Sequence, residues 1–200
     1  MNDRFPEYIR PLLARIDRLM AERERVLIAI DGGSASGKTT LGALLQSIYA
    51  CPVFHMDDFF LRPEQRTPER FSELGGNVDR ERFLSEVLLP LREGKAVDYR
   101  RFDCKTFTIA SPRRIEPGRL NIIEGAYAMH PDLAPYYDLT VFLAVSAEKQ
   151  RERILKRNAP AQAELFFDRW IPFEQRYFAA LNVPERCDLT IFLDDQTSVP

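Results

Sequence analysis

From Phe5 to Arg23 the apolar residues Ile9, Leu12, Leu13, Ile16, Leu19 and Met20 recur at intervals of three and four. That stripe predicts an amphipathic helix over 5–23 that packs on the domain. Val26-Leu27-Ile28-Ala29-Ile30 follows as an apolar run closed by Gly32-Gly33, the pattern of a strand buried on both faces that ends in a glycine-rich loop. Leu41, Leu44, Leu45 and Ile48 mark a helix over 39–50, and Pro52 to Met56 a second short strand. Phe83, Val87, Leu88 and Leu91 predict a helix over 79–92, and the alternating stretch from Lys95 to Pro117 a hairpin.

Leu120 to Ile123 and Leu139 to Val145 are two further strands, a helix is expected over 147–157, and a last strand over 189–193. Between them a helical stretch over 164–181 contains Pro172, which is expected to kink or split it. Strands alternating with helices predict a parallel sheet flanked by helices, with ligands beyond the carboxyl ends of its strands. The aromatic residues of this last helix, Phe166, Phe167, Trp170, Phe173, Tyr177 and Phe178, are read as core in preference to a base-stacking surface.

Two hundred residues suit one domain with an adequate core. No apolar stretch is long enough for a bilayer span, no apolar signal core opens the chain, and cytoplasm is the expected compartment. Cys51, Cys104 and Cys187 are widely spaced without a CxxC pair, so neither a disulfide framework nor a zinc site is expected. A formal net charge of −2 argues against nucleic acid as a partner. His55 and His130, the only histidines, are read as structural because no third ligand or serine nucleophile accompanies them.

Gly32-Gly33-Ser34-Ala35-Ser36-Gly37-Lys38-Thr39, with Thr40 after it, fits GxxxxGK[ST] between a predicted strand and a predicted helix. Small residues there let backbone N–H groups curl round phosphate oxygens at the positive end of the helix. Lys38 reaches the β- and γ-phosphates in such a loop, and the Thr39 hydroxyl holds Mg²⁺. Asp57 and Asp58 follow the second strand at once, where one carboxylate faces the phosphate loop to take a hydroxyl proton or approach the metal, and where helix capping is the alternative. Glu124 stands at another strand tip, the place for a second acidic metal partner. Arg151, Arg153, Lys156 and Arg157 cluster on the helix over 147–157, either as a solvated face or as cations that fold over a triphosphate.

With these motifs in view, the chain resembles the uridine kinase and phosphoribulokinase family from about Val26 to Phe192. The segments that carry the likeness are GGSASGKTT (32–40), FHMDDFF (54–60), GGNVDRERF (75–83), YRRFDCKTF (99–107), IIEGAY (122–127) and RERILKRN (151–158). The resemblance implies an α/β fold of the P-loop nucleoside triphosphate hydrolase type. It implies one kinase domain over 1–200, with an acceptor-side insertion over about 57–117 and a lid over about 151–165. It further implies Asp57 as catalytic base, Thr39, Asp57 and Glu124 round Mg²⁺, and Asp79 and Asp103 in the acceptor pocket. Arg153 and Arg157 fall in the lid. Phe107 stands where uridine kinases carry a base-reading histidine, Phe102 replaces a tyrosine, Asp58 replaces a common serine, and the glycine-containing lid pattern is missing after Arg157. An apolar wall at Phe107 predicts weak selection of a pyrimidine.

The expected activity is transfer of the γ-phosphate of ATP, or another nucleoside triphosphate, with Mg²⁺, onto a hydroxyl of a small molecule. A nucleoside leads, with a sugar phosphate or vitamin precursor as rival acceptor. Neither nucleic acid nor membrane is expected as a partner, and a homo-oligomer stays open. A nucleotide-dependent switch is the rival from another class, although the guanine-reading NKxD motif is missing.

Overall fold

In the computed structural model, which describes residues 6–193, the amphipathic stripe forms α1 (Arg10–Glu22), with Leu12, Leu13 and Ile16 buried; Phe5 lies outside the described residues. The apolar run becomes β1 (Val26–Gly32), and the glycine-rich loop leads into α2 (Lys38–Tyr49) and β2 (Val53–His55). A single 3₁₀ turn, Met56–Asp58, takes up the rest of the expected strand.

The segment between β2 and the next sheet strand contains α3 (Pro68–Ser72), α4 (Arg80–Phe83) and α5 (Leu89–Arg92). Two small antiparallel ladders follow. β3 (Val97–Tyr99) pairs with β6 (Arg113–Ile115), and β4 (Phe102–Asp103) pairs with β5 (Thr108–Ile109) between them, giving the hairpin its nested form. The chain then returns through β7 (Leu120–Glu124), β8 (Leu139–Ala144), α6 (Ala147–Arg157), α7 (Pro160–Leu165), α8 (Ile171–Leu181), α9 (Val183–Arg186) and β9 (Leu189–Phe192).

The main sheet is parallel throughout, in the order β2-β7-β1-β8-β9. Alternate residues of each central strand feed two cores, which is why the runs are apolar at every position. Val26, Ile28 and Ile30 pack with α1 and α2 on one face, and Leu27 and Ala29 with Phe54, Phe83 and Tyr177 on the other.

Pro172 does not split its helix. A wide π turn, Phe166–Trp170, joins α7 to α8, and the N–H of Ile171 reaches back five residues to the carbonyl of Phe166. The same device precedes Pro90: Leu84–Leu88 is a π turn and the N–H of Leu89 bonds to Leu84 O. A proline ring collides with the carbonyl four residues earlier and offers no N–H to it. Widening the preceding turn displaces that carbonyl and lets the helix run on.

Candidate active site

Gly32 closes β1 at φ +150°, and a Cβ there would stand 2.5 Å from the carbonyl oxygen of Leu143 in β8, so the strand can turn into the loop only as glycine. Gly37 caps α2 at φ +106°, again a conformation that suits glycine. Lys38 is buried beneath the loop and its Nζ donates to the carbonyls of Gly32 (2.8 Å) and Gly33 (2.9 Å).

Three side chains brace the loop from outside. Gln150 Nε2 donates to Ser34 O at 2.8 Å. Arg153 donates to Ala35 O (3.2 Å), Ser36 O (3.3 Å) and Leu193 O (2.7 Å). Glu174 accepts from the Ser34 N–H at 2.8 Å and from its hydroxyl at 2.6 Å. Inside the loop the Ser36 hydroxyl is buried without a protein partner, as a group prepared for a polar ligand would be.

The register of the sheet assembles the acidic side of the site. Glu124 lies beside Ile30 of β1 and His55 of β2. Its Oε1 accepts from the Thr39 hydroxyl at 3.1 Å and lies 2.6 Å from His55 Nδ1. That bond is the main reason the His55 imidazole is held above its ordinary pKa. Asp57 opens into the cleft, and although its surface is accessible from there, the enclosing walls push its carboxyl up, Lys38 pulls it down, and Glu124 and Asp58 push it up again. A raised carboxylate facing the phosphate loop is suited to hold a proton taken from a neutral donor.

Asp58 is different. It is buried, accepts from Tyr99 Oη at 2.7 Å and Arg101 Nε at 2.8 Å, and so ties the nested hairpin to the tip of β2.

Two cavities meet here. One of about 480 Å³ is lined by Ser34 to Leu41, Asp57, Glu124, Arg153, Arg157 and Phe166, and one of about 360 Å³ by Phe60, Arg66, Phe71, Phe107, Tyr127, Arg169 and Trp170 among others. Ser34, Asp57, Ala126, Phe166 and Glu174 belong to both. Arg157 lies with its guanidinium carbon 5.4 Å from the Phe166 ring centre on the nucleotide-sized side.

The residues expected in the acceptor pocket are only partly brought together. Phe107 lines the second cavity, at φ +57° and half-exposed. Asp79 does not line it: the carboxylate caps α4 by accepting from the Arg82 N–H at 3.1 Å and lies 3.7 Å from both Arg62 Nε and Arg82 Nε, in a separate depression. Asp103 does not line it either, because it sits exposed on β4 and accepts from the Lys105 N–H at 2.7 Å. The reading of the aromatic helix as core holds for Tyr177 and Phe178, whereas Phe166 and Trp170 face the cavities. His130 is buried with its pKa lowered mainly by desolvation, as a structural histidine is. His55, read as structural from the sequence, is instead a neighbour of Glu124 in the site.

Three further residues that brace the site, Gln150, Glu174 and Asp31, lie outside every motif segment, and His55 lies in FHMDDFF without a role assigned to it there. Asp31, in β1, accepts from the N–H groups of Gly32 (2.7 Å) and Met129 (2.9 Å) and from Tyr177 Oη (2.9 Å), and burial pushes its carboxyl up to about 6. An acidic residue inside an otherwise apolar strand was the one sequence signal for it.

The oxygen donors Thr39, Asp57 and Glu124 fit Mg²⁺. No three His, Cys, Asp or Glu side chains among the described residues could hold a metal by themselves. Phosphate oxygens and water would therefore complete such a shell. The unpartnered Ser36 hydroxyl and the glycine-lined loop fit a phosphate chain.

The family model described as the phosphoribulokinase/uridine kinase family matches residues 27–161. "Uridine kinase-like protein 4" of Arabidopsis thaliana is 29% identical over 145 residues, which are 68% of this chain and 31% of that protein. The chain thus spans about a third of the length of that curated relative. Among solved structures, one titled "a Possible Uridine Kinase from Bacillus stearothermophilus" superposes with a TM-score of 0.65 at 23% identity, covering 90% of this chain and 99% of that one. A candidate kinase of a fructose transport system from Silicibacter sp. TM1040 superposes at 0.73 and 23% identity, covering 92% and 98%. These two likenesses bear on the fold. No helix among the described residues is long and apolar enough to cross a membrane.

Proposed function

The chain belongs to the phosphoribulokinase/uridine kinase family of P-loop kinases, and from that premise we propose that it transfers the γ-phosphate of ATP, with Mg²⁺, to a hydroxyl of a small polar metabolite. The observation that carries the reading is the shared wall of the two cavities, in which Asp57 faces both the phosphate loop and a second, acceptor-sized space. A nucleotide switch needs only the first cavity.

In this reading Gly32 to Thr40 cradle the phosphates, Lys38 turns its ammonium from the loop carbonyls to the phosphate oxygens, and Thr39, Asp57 and Glu124 hold the metal. Mg²⁺ supplies charge neutralisation on the phosphate chain. Asp57 takes the acceptor proton as the hydroxyl oxygen attacks in line, a role that its place on the shared wall of the two cavities favours. Arg157, in the lining of the nucleotide cavity, offsets charge developed during transfer, and Arg153 in the same lining does so through its hold on the Ala35 and Ser36 carbonyls of the loop. Nucleosides, sugar phosphates and vitamin precursors with a free hydroxyl are the acceptor classes in view, and Phe107 weighs against pyrimidine nucleosides. The test is acceptor-dependent ADP release by the purified protein across those classes. ATP bound but never consumed, whatever acceptor is supplied, would favour the switch.

A further inference from the structure

Arg66 and Arg169 line the acceptor cavity and not the nucleotide cleft. Most arginines around them are neutralised: Arg62 and Arg82 face Asp79, Arg70 pairs with Glu81, Arg100 with Glu86, and Arg101 with Asp58. Arg66 and Arg169 have no carboxylate within ion-pair distance among the described residues. The Arg66 guanidinium makes one hydrogen bond, from Nε to Leu61 O at 2.9 Å, and its central carbon lies 5.0 Å from the Phe107 ring centre and 5.6 Å from that of Phe102. Arg169 lies 4.9 Å from the Phe71 ring and 4.8 Å from that of Trp170.

Stacking on aromatic faces fixes a guanidinium plane without using up its donors, and a planar fork with free N–H groups matches carboxylate and phosphate oxygens. Where the same cavity meets the nucleotide cleft, the shared lining includes the carboxylates Asp57 and Glu174, which repel an anion, whereas Arg66 and Arg169 line the acceptor cavity alone. A ligand with a hydroxyl at one end and a negative group at the other fits that polarity.

Resting on the kinase reading above, we infer that Arg66 and Arg169 form an anion-recognition pair that selects acceptors bearing a carboxylate or phosphate group in addition to the hydroxyl that is phosphorylated. Phe107 then serves as the stacking support of Arg66, which accounts for an aromatic residue at that hairpin position. A neutral nucleoside leaves both forks unsatisfied, so this pair moves the preferred acceptor away from nucleosides and towards anionic polyols and acids.

Trp170, the only tryptophan, lines the cavity and reports on it. Its fluorescence is titrated in the full chain, with Mg²⁺ and a saturating non-hydrolysable ATP analogue to keep added anions off the phosphate loop. The probes are ribose 5-phosphate against ribose, glycerate against glycerol, and pantothenate against pantothenol. At least one charged twin is expected to bind about tenfold more tightly than its neutral counterpart, the scale of one good charge-assisted hydrogen bond. The pair that shows the preference identifies phosphate or carboxylate. Arg66→Gln and Arg169→Gln, checked for folding by circular dichroism, should each shrink that ratio about tenfold, and Arg169→Lys should retain part of it. Charged twins that bind no better than neutral ones, or not at all, overturn the inference, as does a ratio that survives both glutamine variants. If the preference holds but no acceptor promotes ADP release, the kinase reading fails while the anion pair stands.

Discussion

Replacing Asp31 with asparagine tests the environment beneath the phosphate loop. The wild-type carboxylate is fully buried among two backbone N–H groups and the Tyr177 hydroxyl, yet burial outweighs these donors and Lys38 and lifts its pKa from an ordinary 3.8 to about 6. A carboxyl that binds its proton more tightly in the fold than in the unfolded chain makes its ionised form the less favourable one. The folded state therefore loses stability as pH rises from about 4 to about 6, and regains it on acidification. A gap of about two pH units at about 1.4 kcal/mol each amounts to roughly 3 kcal/mol, of which about 2 kcal/mol falls between about pH 4.5 and 7.5. The asparagine variant has no such titration but turns an N–H₂ group towards donors, costing about 1–3 kcal/mol at every pH. Urea unfolding of both proteins across that range should find the variant clearly weaker at the acidic end and close to wild type at the basic end. A stability difference that stays constant within about 0.5 kcal/mol, the scale of ordinary mutational scatter, would refute the assignment of a raised pKa to this carboxyl.

Asp57→Asn should lower kcat by about 10²–10⁴-fold, the usual loss of a general base, while Asp58→Asn should mainly lower the unfolding midpoint, because Asp58 ties Tyr99 and Arg101 to the strand tip; steady-state rates beside thermal melts separate the two. Lys38→Ala should abolish transfer and also destabilise the fold by about 1–3 kcal/mol, since it leaves the Gly32 and Gly33 carbonyls without their donor, which denaturant titration measures. Glu174→Ala should destabilise the loop by leaving the Ser34 N–H and hydroxyl unpartnered, and Glu174→Gln should restore most of the lost Tm because its amide can serve both. Uridine and cytidine should be poor acceptors, with kcat/KM below the roughly 10⁴ M⁻¹s⁻¹ at which natural substrates begin, and efficient turnover of either would count against an apolar wall at Phe107.

The parallel sheet and the phosphate loop could be read along the chain because both are local patterns: runs buried on two faces, and small residues between a strand and a helix. Asp57 and Glu124 were readable for a related reason, as polar residues that interrupt such runs at their carboxyl ends. His55 became a site residue only because β2 and β7 are lateral neighbours, a pairing of positions 69 residues apart. Glu174 reaches Ser34 across 140 residues, and nothing near it distinguishes it from a solvated helical glutamate. Asp79 and Asp103 were assigned by likeness to relatives, but here the first is taken up by capping α4 and the second stays on the outer side of the hairpin. Pro172 signalled a break, and a single widened turn absorbed it.

That widened turn amounts to one surplus residue in the helix that runs from 160 to 181. Each residue of an α-helix advances the side chains by about 100°, so removing one position from Phe166–Trp170 would re-index everything upstream by that angle. Glu174 and Tyr177, downstream, would keep their bearings on the phosphate loop and Asp31, while Arg169 and Trp170 would swing off the acceptor cavity. A deletion at this point would therefore turn Arg169 and Trp170 away from the second cavity and move Phe166, which lines both cavities, while Glu174 keeps its hold on Ser34. A surplus residue seated just ahead of a proline is also hard to lose by simple tightening, because the ring forbids the closer turn.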